Sequence, residues 1–269
     1  MIRDITLGQY YPAQSFIHRL DPRVKIISTF IYILALFLVD RFIQYTSILA
    51  FLAIVIAVSK VPFKFMVKGL RPLIIIITIT IGINIFMTSG EIIYAIGFLK
   101  ITKEGIYQAV FMGSRLILLI VGSSILTLTT KPVKLTDGIE KMLNPLKRIK
   151  VPAHELAMMM TIALRFIPTL LEETDKIMKA QMARGADFES GNMVKRARSL
   201  IPLLVPLFIS AFRRADELAM AMESRCYRGG ENRTRMHEIS YEMKDALGIL
   251  IVLIFLAVTI LLNYIPSIL

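Results

Sequence analysis

Apolar residues fall in long runs that stop at charged or proline-bearing joints. Ile26–Val39 is closed by Asp40 and Arg41, Phe42–Ser59 by Lys60, and Leu73–Met87 by Ser89-Gly90-Glu91. Gly105–Leu128 and Leu247–Ile265 complete the set. Runs this long and this free of charge predict helices in a bilayer, the only open-chain form that satisfies its own backbone there. A charged pair in mid-span is costly, so Asp40-Arg41 predicts a tight turn between two hairpin helices. Leu20-Asp21-Pro22-Arg23 predicts a helix start, with Asp21 as N-cap and Pro22 at the first helical position.

The joints carry the topology. Lys60, Lys64, Lys68 and Arg71 stand without an acid between the second and third runs, which places that loop inside. The 88–104 loop holds Glu91, Lys100, Lys103 and Glu104 and is expected outside, with Ile92–Leu99 as a short interfacial segment. Four spans then return the chain to the cytoplasm, and a fifth leaves the C-terminus outside. Residues 1–24, with Arg3, Asp4, His18 and Arg19, lack the apolar centre of a cleavable signal. Gly113, Ser114, Gly122, Ser123 and Ser124 in the fourth run predict close helix packing. Arg115 in the same run is expected to cap a neighbouring helix or snorkel, against the alternative of a functional site.

Past Lys131 the pattern changes, because charges interrupt every apolar stretch. Val133–Leu146 reads as amphipathic. Leu156–Leu171 contains Arg165 and Pro168, and Leu200–Phe212 is short for a span and expected to kink at Pro202 and Pro206. The region reads as long helices at the inner membrane surface. The expected domains are a membrane part over 1–130 with spans near 26–39, 42–59, 73–87 and 105–128, a cytosolic part over 131–243, and a final span in 244–269.

The chain has 269 residues, 55% hydrophobic, and a net charge of +12. That charge lies beside apolar runs rather than interleaved with aromatics, which suits anionic lipid and excludes nucleic acid as the partner. Lys195, Arg196 and Arg198 are expected against headgroups. Cys226 is the single cysteine, so an internal disulfide and a cysteine zinc site are excluded, and His18, His154 and His237 have no ligand spacing. No GxxxxGK[ST], GxSxG, HExxH or GxGxxG occurs. No enzymatic activity, cofactor or metal is expected, and energy for any transport would come from a partner.

Two segments stand out, MKAQMARG at 178–185 and MAMESRCYRGG at 220–230. Aligned on Arg184 and Arg225, they bring Asp175 onto Asp216, Ile177 onto Leu218, Ala180 onto Ala221 and Ala183 onto Ser224. Each follows an apolar, proline-containing stretch and precedes glycine. An arginine at a helix C-terminus suits the dipole, and its fork matches a carboxylate or a helix-end carbonyl. Small neighbours, Ala183 and Gly185 in one case, Ser224 and Cys226 in the other, leave it free to project. The pair reads as two plugs for a partner with two sockets, against the plainer reading of two ordinary helix caps. Met158, Met159, Met160, Met178, Met182, Met193, Met220 and Met222 crowd the same region, and flexible thioethers suit a surface shared by several partners as well as ordinary packing.

With LDPRVK near the N-terminus, Ala183-Arg184-Gly185 and the second triplet Ser224-Arg225-Cys226, the whole chain resembles the transmembrane (T) component of energy-coupling factor transporters, the family that includes the cobalt-transporter permease subunit. The family signatures are two alanine-arginine-glycine triplets; the second departs here at both flanks. The resemblance implies an all-α membrane protein with about five transmembrane helices and a cytosolic coupling domain of two long helices. Their arginines would dock on two ABC-type ATPases, and an exchangeable substrate-binding membrane subunit would pack on the same helices. It implies a non-catalytic part in vitamin or micronutrient uptake at a prokaryotic plasma membrane. The competing reading is a self-sufficient permease or channel with Arg115 and Asn84 lining a path.

Overall fold

A computed structural model describes residues 10–96, 99–188, 192, 194, 198–230 and 239–264. The expectations on Arg3, Asp4, Met193, Lys195, Arg196 and His237 lie outside these. Helices dominate: α1 Phe16–Arg19, α2 Pro22–Phe37, α3 Phe42–Ser59, α4 Phe63–Lys68, α5 Ile74–Met87, α6 Lys103–Thr129, α7 Pro132–Leu143, α8 Ala153–Ala183, α9 Ile201–Ser224 and α10 Met243–Tyr264. The chain divides within α7 into two compact units, one built on Gly8–Gly138 and Glu238–Leu269, the other on Ile139–His237.

Five stretches are long and apolar enough to cross a membrane, by length and composition: Phe42–Ser59, Phe63–Met87, Lys103–Thr129, Ala153–Ala183 and Met243–Asn263. The protein is an all-α membrane protein. This set differs from the expected spans at two points. Helix α2 has 16 residues and rises about 24 Å, less than a hydrocarbon core of about 30 Å. Helix α8 runs unbroken for 31 residues through Pro168 and joins the set, although charges had marked its sequence as interrupted.

The first unit packs around aromatic side chains. Tyr32, Leu36, Tyr45, Ile48, Phe111, Leu118 and Phe255 are buried together. Phe51 and Phe255 stack with ring centroids 4.1 Å apart. The Tyr32 hydroxyl donates to the Leu118 carbonyl at 2.8 Å, and Gly122 makes room for the ring: a Cβ there would lie 2.1 Å from Tyr32 Cε1. Gly122 therefore serves close approach, and so does Gly113, where an added Cβ would lie 3.2 Å from Ile81 Cδ1 of α5.

Asp21 caps α2 by accepting from the Arg23 N–H at 2.8 Å, and Pro22 is the first helical residue. The Asp21 N–H donates to Asp245 at 2.7 Å. Lys25 donates to the His18 and Thr129 carbonyls at 3.2 and 3.1 Å. Asp40 and Arg41 form the expected turn, both N–H groups donating to Gln44 Oε1. Arg115 donates to the Val39 carbonyl just before that turn and lies over the Phe111 ring, so it caps a neighbouring chain end. Asn84 donates to Thr80 within its own helix. The two residues on which a permease path would rest are thus engaged with backbone carbonyls.

Within the segment expected at the interface, Ile92–Ile96 and Leu99–Thr102 pair as antiparallel strands, with Ile92 opposite Thr102 and Ala95 opposite Lys100, a pairing that β-branched residues favour. One expectation fails. Leu200–Phe212 is not kinked at Pro202, which sits in the first turn of α9, where a missing N–H leaves no bond unmade.

Candidate functional site

Helices α8 and α9, both in the second unit, pack along most of their length in opposite directions. Gln181 Nε2 donates to the Pro202 carbonyl at 3.4 Å. Ser210 donates to Glu173 Oε1, and Arg214 donates to Glu173 Oε2 at 2.8 Å. Met158 and Ile162 share a cleft with Leu218 and Met222. Partners rise along one helix as they fall along the other. The Pro202 contact has a simple cause. Pro206 has no N–H, so the carbonyl four residues back lacks its helical donor, and the Gln181 amide supplies one.

Both helices end in the same way. Ala183 and Ser224 are the last helical residues, and Arg184 and Arg225 are the caps, with φ/ψ of −90/8 and −93/14. Gly185 follows at φ +86 and Cys226 at φ +55. The Gly185 N–H donates to Met182 O at 3.0 Å and the Ala186 N–H to Gln181 O at 3.0 Å. At the second end the Cys226 N–H donates to Glu223 O at 2.8 Å and the Tyr227 N–H to Met222 O at 3.0 Å. These bonds define a Schellman cap at each end. The glycine of the first triplet thus supplies the left-handed residue that the cap needs. Cys226 fills the same place with a side chain that disfavours it.

The caps turn the chain away sharply and leave each arginine at a helix tip. Arg184 and Arg225 are exposed, and among the described residues neither guanidinium has a side-chain partner. Because the helices are antiparallel, the tips lie at opposite ends of the pair. Each arginine is eleven residues past its member of the Glu173–Arg214 contact, so a rise of 1.5 Å per residue separates them by about 33 Å along the pair. The structure therefore does not bring the two arginines into one site.

The methionines divide. Met182 and Met220 are exposed, at 49% and 62%, while Met178 and Met222 are half-buried. Met222, with Met158, Ile162 and Leu218, lines a cleft of about 450 Å³ whose rim includes Arg225 and Cys226. Helix α9 leaves Leu204, Val205, Phe208, Ile209 and Phe212 exposed on its first half. Residues that sequence reasoning passed over are Glu173, Ser210 and Arg214, which join the helices. A signal was present, since Glu173 falls on Arg214 when the arginines are aligned.

The family model described as CbiQ, cobalt transport protein, matches residues 13–236. The energy-coupling factor transporter transmembrane protein EcfT of Thermosediminibacter oceani is 64% identical over 244 residues, covering 91% of this chain and 92% of the relative. The protein of the same name from Clostridium kluyveri is 59% identical over 263 residues, 97% of each chain. That from Bacillus subtilis is 49% identical over 258 residues, 96% of this chain and 97% of the relative.

Proposed function

The chain belongs to the CbiQ family of transport proteins, which its energy-coupling factor relatives share, and on that premise we propose that α8 and α9 are coupling helices whose tips, Arg184 and Arg225, each dock on one of two ABC-type ATPases. In this reading α2 crosses as a short fourth span, accommodated by local thinning of the bilayer, and α8 stays on the inner side. Residues 131–243 form a cytoplasmic coupling domain, and 1–130 and 244–269 hold it at the plasma membrane with the N-terminus inside. The chain hydrolyses nothing itself. It transmits the closing of the ATPase pair to an exchangeable substrate-binding membrane subunit during uptake of a vitamin or other micronutrient.

The observation that carries the reading is the matched pair of caps at opposite ends of one antiparallel pair. A partner with two-fold symmetry offers two equal sockets, and the pair offers two equal plugs. A helix tip bearing an unpaired guanidinium fits a carboxylate or a helix-end carbonyl. The Glu173–Ser210–Arg214 contact joins the helices midway, so displacement at one tip is passed to the other helix. The exposed stripe from Leu204 to Phe212 suits an apolar membrane subunit, and the exposed Met182 and Met220 suit exchange of partners. Cargo selectivity lies in that subunit.

Affinity purification from native membranes tests the proposal. The wild-type chain should carry two ATPase copies, and Arg184→Glu with Arg225→Glu together should lose them while the chain still inserts. Retention of both copies by the double variant, with unchanged transport-linked ATP hydrolysis, would overturn it.

A further inference from the structure

Beyond its cap, the second arginine segment is tied back to the start of α8. Tyr227 donates its hydroxyl to Met158 Sδ at 3.1 Å and lies 3.4 Å from His154 Nε2. His154 Nδ1 sits 3.0 Å from Glu140 Oε1, in the last turn of α7. The His154 and Glu140 side chains are only 18% and 15% exposed, so water competes weakly for these bonds. Gly230 packs close against the imidazole: a Cβ added there would be 2.4 Å from His154 Cδ2. Three contacts thus reach the five residues after Arg225, and a fourth, His154 to Glu140, ties them to α7.

At the first arginine's end of the pair, Gln181 donates to the Pro202 carbonyl at 3.4 Å, which ties that end of α8 to α9.

We infer that Glu140, His154 and Tyr227 form a clamp that fixes the second arginine to the end of α7 and the start of α8. Arg225 is a held point, and load applied there passes directly into α7 and the first turns of α8. The three clamp residues are positioning residues, since none of them bonds the guanidinium. The consequence for coupling rests on the docking reading of Arg225, whereas the clamp itself does not.

Cys226, the single cysteine, is exposed and adjacent to Arg225, so a nitroxide attached to it reports on the tip in the otherwise native chain. In the assembled transporter in lipid nanodiscs, Tyr227→Phe and His154→Gln should each shorten the rotational correlation time at this label by about twofold or more, on the nanosecond scale that the spectrum reads. Tyr227→Phe keeps the ring and removes one oxygen, so folding is preserved. A label at Ala183→Cys in a Cys226→Ser background should not respond to either change. Unaltered mobility at Cys226 in both variants overturns the clamp, and so does an equal response at position 183. Freed label with reduced transport-linked ATP hydrolysis supports clamp and docking together. Freed label with wild-type hydrolysis supports the clamp and removes the docking reading of Arg225.

Discussion

Glu173 accepts a hydrogen bond from Arg214 at 2.8 Å, and these two residues coincide when the arginine segments are aligned on Arg184 and Arg225. The contact that joins α8 to α9 is thus made by the same position of each segment. An antiparallel pair related by a local two-fold axis brings equivalent positions together only where that axis passes. The ion pair marks that place, and it explains why the two tips stand equally far from it.

The side chains of Arg214 and Glu173 are 36% and 22% exposed, so solvent screens their attraction. A double-mutant cycle with Glu173→Ala and Arg214→Ala should return a coupling of about 0.5–1 kcal/mol, within the range of partly exposed pairs. Glu173→Ala alone should cost more than Arg214→Ala, because it also strips Ser210 of its acceptor. Thermal unfolding in detergent measures both. A coupling indistinguishable from zero would mean that this ion pair does not help to hold the two helices together.

The second cap carries a strain that the first avoids. Cys226 sits at φ +55 and Gly185 at φ +86, and a side chain in the left-handed region costs about 1–2 kcal/mol. Cys226→Gly should therefore stabilise the end of α9, by about 0.5–1 kcal/mol after allowance for the freer unfolded chain. Gly185→Ala should destabilise the end of α8 by about 1 kcal/mol, although nothing lies within 4 Å of the added methyl. Hydrogen exchange at Tyr227 and Ala186, whose N–H groups close the caps, reads each effect locally. Opposite signs are the expected result, and equal signs would contradict the cap assignment.

Much of this site was legible before the structure, and the missing part has a physical reason. Arginine flanked by small residues at the end of an amphipathic stretch is a local signal, and so are Asp21-Pro22 at a helix start and Asp40-Arg41 at a turn. Each depends on a few adjacent residues. The glycine of the first triplet was also local, but it was read as leaving space for arginine when its positive φ closes the cap. The Glu140–His154–Tyr227 clamp and the Gln181–Pro202 bond join residues far apart in sequence, where no periodicity reports them. Pro202 was misread for a different reason. A proline kinks a helix only after its first turn, and the start of α9 at Ile201 is not marked by a capping side chain: Leu200 precedes it.

In the membrane unit, Gly122 and Tyr32 form a matched pair. A methyl group on Gly122 would meet the Tyr32 ring at 2.1 Å, and the ring is held by a buried hydroxyl bond to Leu118. Gly122→Ala should lower stability by about 1–3 kcal/mol, the usual penalty for overpacking. Combining it with Tyr32→Leu should recover part of that loss, since the smaller side chain vacates the space. Yield of folded protein and thermal unfolding in detergent follow both effects. Strict additivity of the two changes would show that they do not share the space.

Asp245 joins two helix starts through one carboxylate. It is 1% exposed. Oδ2 accepts from the Glu242 N–H at 2.9 Å, satisfying a backbone donor at the start of its own helix. Oδ1 accepts from the Asp21 N–H at 2.7 Å, at the N-cap of α2. Asp245→Ala would leave both N–H groups without partners. The buried Asp21 N–H left unpaired costs about 1–3 kcal/mol, while water can meet the exposed Glu242 N–H, so the change should remove about 1–3 kcal/mol in total. Asp245→Asn keeps the shape and one acceptor oxygen, and it should lose about half as much. Arg23 belongs to the same network: it pairs with the Asp21 side chain at 2.7 Å, lies over the Tyr241 ring at 3.7 Å and feels the Asp245 charge. Arg23→Ala and Asp245→Asn should therefore couple rather than add. Thermal unfolding of the three variants in one detergent, with membrane insertion checked separately, decides the matter. Full stability of Asp245→Ala would show that the carboxylate does not hold α2 to α10.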